Sequence, residues 1–132
     1  MAINGRHQPS KKKYKTLEYM PLQDRLFILV VRNGKRVAIP AVTIVQWAKW
    51  FEDAANQKLT TVKREMVGDV MVSTVFLSVN RNYSPKGPPI LYETMVFGGP
   101  LDRQAFHCST WEQAEAQHLA IMKLVKRKQG GA

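Results

Sequence analysis

Residues 26–40, LFILVVRNGKRVAIP, hold the signal that sets the fold class. Positions 26–31 are all Leu, Phe, Ile or Val, a run of strand length built from residues that pack well on a pleated surface. Arg32 ends the run and Asn33-Gly34 follows at once. A two-residue hairpin turn needs positive φ at both central positions, which Asn and Gly tolerate, so Asn-Gly between apolar runs is the strongest short hairpin signal. Residues 36–39 then form the return strand. Pro40, which has no backbone N–H, closes it.

Downstream, Thr43 followed by Gln46 fits a helix-capping box. Ile44, Trp47, Ala48, Phe51, Ala54 and Ala55 recur with helical spacing, which predicts one apolar stripe facing a core. Trp50 falls about 100° from the centre of that stripe. There it either covers the core edge or stands half-exposed as a binding aromatic. Residues 59–67 alternate in part, and Gly68-Asp69 reads as a turn. Residues 70–79 carry apolar side chains on both faces, as a central strand does. Asn, Ser, Gly and proline crowd residues 80–89, which read as a loop. Residues 90–97 form another strand, stopped by Gly98-Gly99-Pro100. Ser109 with Glu112 fits a second capping box, and Trp111, Ala114, His118, Ile121, Met122 and Val125 share one face of the helix that follows. The order β-hairpin–α–β–β–β–α predicts an α+β fold, an antiparallel sheet of about five strands with two helices packed on one face.

The chain has 132 residues, a length that suits one domain able to bury a core of its own. Residues 1–22 are polar, without hydrophobic period, and read as a flexible basic tail. Residues 23–126 read as the domain, and 127–132 as a second flexible tail. Cys108 is the single cysteine, so no disulfide forms within the chain and a zinc site with two cysteine ligands is excluded. A lone thiol suits a reducing compartment. The apolar run at 26–31 is far shorter than the roughly 20 residues of a membrane span. No apolar segment follows the first basic residues as a secretory signal requires. The expectation is a soluble intracellular protein that touches no membrane.

The net charge is +10, and it sits at the ends: residues 1–25 and 123–132 each carry a net +4. Lys11, Lys12, Lys13 and Lys15 at one end, with Lys126, Arg127 and Lys128 at the other, form a candidate surface for phosphate backbones. Solvated tails explain the same charge without a ligand. Arg81, Tyr83 and Lys86 put basic and aromatic side chains on the 80–89 loop, a mixture that stacks on bases or anchors a protein partner.

Catalytic patterns are sparse. A nucleophilic Cys108 needs a base within hydrogen-bond reach. Adjacent His107 points away in extended backbone, which leaves only His118. Glu115 and His118 are spaced to face one metal ion, with Glu93 and His107 the only further ligands nearby. His118 also lies mid-stripe, where a hydrogen-bonded core histidine is the simpler reading. The glycines fit no phosphate-binding loop. No cofactor and no metal is expected.

Four stretches are distinctive: Trp47-Ala48-Lys49-Trp50-Phe51-Glu52; Val72-Ser73-Thr74-Val75-Phe76-Leu77; Gly87-Pro88-Pro89-Ile90-Leu91-Tyr92-Glu93-Thr94-Met95-Val96-Phe97-Gly98-Gly99; and Ser109-Thr110-Trp111-Glu112-Gln113-Ala114-Glu115-Ala116-Gln117-His118. Through them the chain, from about Leu26 onward, resembles a family of small uncharacterised proteins encoded by tailed bacteriophages and prophages. It departs at Asn80-Arg81, where the family pattern carries an acidic residue and a histidine, and in its basic residues 1–20. The resemblance implies a phage product acting in the cytoplasm of the bacterial host, and it carries over no functional residues. Together the readings favour a non-catalytic accessory protein that binds a host or phage macromolecule, with Trp50, Arg81, Tyr83 and Lys86 as its contact residues. The alternative is a nucleic-acid binder using the basic tails and the 80–89 loop. A remote third is an enzyme centred on Cys108, Glu115 and His118.

Overall fold

A computed structural model describes residues 20–84 and 86–130, with only the backbone at positions 54, 56 and 57. A short helical turn, α1 (Leu22–Arg25), leads into the hairpin β1 (Phe27–Arg32) and β2 (Lys35–Pro40). Asn33 and Gly34 take φ of 52° and 75°, the turn their chemistry dictates. Helix α2 (Ile44–Gln57) follows, then β3 (Thr61–Val67), β4 (Val70–Phe76), β5 (Tyr92–Phe97), β6 (Ala105–Cys108) and helix α3 (Trp111–Gly130). The architecture is α+β with antiparallel strands. No described helix is long and apolar enough to cross a membrane.

The expected single sheet of five strands is two sheets, one of two strands (β1-β2) and one of four (β3-β4-β5-β6). Two local causes account for the split. The strand expected to reach Val79 stops at Phe76, because Ser78 adopts a left-handed φ of 61°. Beyond it only the bridge Leu26–Val79 joins the hairpin to this segment. Residues 105–108 pair with β5 as a sixth strand, although so short a run after a Gly-Gly-Pro turn carries little period of its own.

The helices do not share one sheet face. Ala114, Ile121, Met122 and Val125 of α3 pack against the large sheet at Val70, Val72, Val96, Phe76 and Tyr92. The hairpin is covered on both sides, which is why β1 is apolar without alternation. Phe27 and Leu29 meet Phe76, Leu91 and Tyr92, while Leu26 and Ile28 meet Trp47 and Trp50 of α2. Thr43 caps α2 as expected, its Oγ1 accepting from Gln46 N at 3.0 Å. The cap of α3 lies one residue beyond the expected pair: Thr110 Oγ1 accepts from Gln113 N at 3.1 Å, and Gln113 Oε1 accepts from Ser109 N and Thr110 N.

Candidate functional site

Helix α2 does not bury the stripe its spacing predicts. The Trp47–Trp50 side turns inward instead. Trp50 is half-buried and meets Phe76 edge-on with ring centroids 5.7 Å apart. Trp47 donates its indole N–H to the Ser78 carbonyl at 3.1 Å. Two large rings anchored at 47 and 50 rotate the helix, so Ile44, Ala48, Phe51 and Ala55 stand exposed. Ile44 is 57% exposed, Val45 63% and Phe51 40%. The Phe51 ring is held in place, stacked on Trp47 at 5.4 Å and 25°. An indole fixed by a backbone hydrogen bond therefore presents an apolar ring to solvent in one orientation.

The large sheet also has an outer face. Register puts Met66, Met71, Val75, Met95 and Phe97 there, away from α3, but mixed with Arg64, Ser73, Glu93 and His107. His107 and Glu93 pair across it at 3.0 Å. That face is amphipathic, whereas the α2 stripe is apolar without interruption.

Arg81, Tyr83 and Lys86 are all exposed on the one loop. Two asparagines brace that loop. Asn80 Oδ1 accepts from Asn82 N and Ile90 N, and Asn80 Nδ2 donates to the Asp24 carbonyl. Asn82 Nδ2 donates to the carbonyls of Lys86 and Pro88. Trp50 is not part of that group, since its ring is taken up by the core. Lys126, Arg127 and Lys128 are exposed on the last turns of α3, while Lys11, Lys12, Lys13 and Lys15 lie outside the described residues.

No family model, curated protein or solved structure matches the chain. The chemistry of the site therefore rests on geometry.

That geometry disposes of the enzyme centre in the form expected. His118 is buried on α3, and its partners are residues the sequence reading missed. Its Nδ1 lies 2.7 Å from Thr74 Oγ1, and its Nε2 2.9 Å from Glu65 Oε1. Thr74 Oγ1 lies 2.7 Å from Thr94 Oγ1, to which Gln117 Nε2 donates at 3.0 Å. One direction of donation satisfies every atom: Gln117 to Thr94, Thr94 to Thr74, Thr74 to His118 Nδ1, and His118 Nε2–H to Glu65. A hydroxyl, an imidazole and a carboxylate in line resemble a nucleophile relay. Here, however, the hydroxyl end is sealed: Thr74 and Thr94 are fully buried, so no substrate carbonyl reaches Thr74 Oγ1. The chain of bonds fastens α3 to β3, β4 and β5. Glu115 faces solvent, outside it. Cys108 is half-buried on β6, and burial pushes its thiol pKa up, against nucleophilic use. Among the described residues no three His, Cys, Asp or Glu side chains gather at metal-binding distance.

Proposed function

We propose that this chain is a non-catalytic binding protein whose partner docks on the exposed apolar stripe of α2. The observation that carries the reading is Phe51, exposed yet fixed by its stack on Trp47, within a continuous stripe with Ile44. Burying one large apolar side chain contributes about 1.5–3 kcal/mol. A pre-oriented aromatic loses little entropy on binding, which is the signature of an interface anchor. A helix face read as i, i+4, i+7 is a common peptide- or protein-recognition element. The resemblance to tailed-phage proteins supplies the proposed setting: an accessory protein meeting a host or phage macromolecule in the host cytoplasm. Arg81, Tyr83 and Lys86 form a proposed second contact.

The test is affinity capture from bacterial lysate by the tagged chain, with and without nuclease, comparing wild type with Ile44→Asp and Phe51→Asp. Both positions are exposed, so both variants keep their fold by circular dichroism. The expected result is a stoichiometric protein that survives nuclease and is lost, by roughly tenfold or more in affinity, from both variants. Capture that vanishes with nuclease moves the reading to nucleic acid and the basic ends. Capture untouched by either aspartate removes the α2 stripe.

A further inference from the structure

The exposed stripe of α2 carries a pattern of sizes. Ile44, Ala48, Phe51 and Ala55 recur at helical spacing, so large and small side chains alternate along one line. All four are exposed. The pattern is centred between positions 49 and 50. Turned end for end about that centre, the stripe sets Ile44 opposite Ala55 and Phe51 opposite Ala48, so each large side chain meets the space above an alanine. In a two-fold contact residue i meets j and j meets i, so each fit is made twice. The alanines also let two helix axes approach to the short end of the usual separation of about 8–10 Å. A parallel pairing sets Phe51 on Phe51 and leaves alanine facing alanine across a gap. Charge follows the same symmetry. At about 100° per residue, Lys49 and Glu52 lie on one flank of the stripe, the flank away from Trp47 and Trp50. Both are exposed. End for end, Lys49 stands about 3 Å along the axis from the level of the partner copy's Glu52, and the two-fold makes that pair twice. A parallel pairing sets Lys49 beside Lys49 and Glu52 beside Glu52.

We propose that, when no other partner is bound, a second copy of this chain covers the stripe, α2 against α2 and antiparallel, so that the protein forms a weak symmetric dimer. The pairing rests on the reading of the stripe as a docking surface and names what occupies it at rest. Helix α2 has 14 residues, so the contact is about 21 Å long and about 10 Å wide. That falls well short of the roughly 800 Å² a side of a standard interface. The dissociation constant is therefore on the order of 100 µM. A tighter partner displaces the second copy by competing for Ile44 and Phe51, and dilution alone frees the face.

The test is sedimentation velocity of the full chain from about 10 µM to about 1 mM. The expected result is a monomer that becomes a dimer across that range. Phe51→Asp keeps the chain monomeric throughout. Lys49→Glu puts like charges together at both copies of the flank contact and weakens the dimer by about tenfold. Glu52→Lys does the same, and the two changes together restore the wild-type affinity, with the stripe and the net charge left as they were. A chain still monomeric at about 1 mM overturns the dimer. The docking reading then stands if capture from lysate is lost with Phe51→Asp, and falls with the dimer if it is not. A dimer that persists in Phe51→Asp uses another face. A dimer unmoved by the single charge changes, or not restored by the double one, lacks the antiparallel register. Either result overturns the proposal.

Discussion

Tyr92 and Cys108 are register partners across β5 and β6, and the fold holds the proton of each. At Cys108 the cause is burial; at Tyr92 it is burial first, then the Glu112 carboxylate, with Arg36 acting the other way. Both pKa values are therefore higher in the folded chain than in the unfolded one. As pH rises the unfolded chain loses these protons first and binds fewer than the folded chain, so stability falls. The loss begins above the ordinary thiol value of 9.0 and steepens above the ordinary phenol value of 10.0. Urea unfolding at about pH 7.5 and about pH 10.5 checks this, with a lower midpoint expected at the higher pH. Tyr92→Phe removes the upper part of the loss. It also raises stability at neutral pH by roughly 1 kcal/mol, since a buried hydroxyl without a partner costs about 1–3 kcal/mol. No gain in that variant would show that the oxygen already has a partner in solution.

At the scale of elements, two glycine turns separate backbone strain from lack of space. Gly34 has a φ of +75°, and a Cβ there would meet nothing within 4 Å. Gly99 has a φ of +67°, and a Cβ there would fall 2.8 Å from Val70 Cγ2, inside the core beneath α3. Alanine at Gly34 costs only the left-handed backbone, about 1 kcal/mol. Alanine at Gly99 adds the displacement of a packed valine and costs about 2–4 kcal/mol in all. Equal midpoints for the two variants in denaturant unfolding would sink this distinction. The Asn33-Gly34 hairpin and the buried stripe of α3 were legible in the sequence because each rests on neighbours a few positions apart. The break at Ser78 was not, since nothing about a serine between Leu77 and Val79 announces a positive φ. Nor was the Thr74–His118–Glu65 chain, whose members lie 44 and 53 positions apart and meet only once the sheet has formed. Trp50 shows the limit most directly. Helical period placed it beside the stripe, but the fit of two indoles against the hairpin and β4 decided which way α2 faces.

Across the whole molecule, fastening is uneven. Strands β4 and β5 are central in the large sheet, are covered by α3, and share buried side-chain hydrogen bonds with it. Helix α2 reaches the core through Trp47 and Trp50 and leaves its remaining apolar face to solvent. Regions with few buried contacts open at lower free energy than the core. Amide hydrogen exchange should therefore rank α2 well below β4 and β5 in protection. Trp47→Phe keeps an aromatic ring but removes the indole donor to the Ser78 carbonyl, a bond worth about 1 kcal/mol. The expected outcome is exchange about fivefold faster across α2, with β4 and β5 unchanged. A uniform fall in protection would instead mean that helix and sheet open as one unit, and that α2 is as firmly built in as the core. The first result is the one that the proposed docking role of α2 requires, a helix that adjusts to a partner at small cost while the sheet and α3 hold the fold; Trp47, the residue that tethers it, also orients the exposed Phe51 ring.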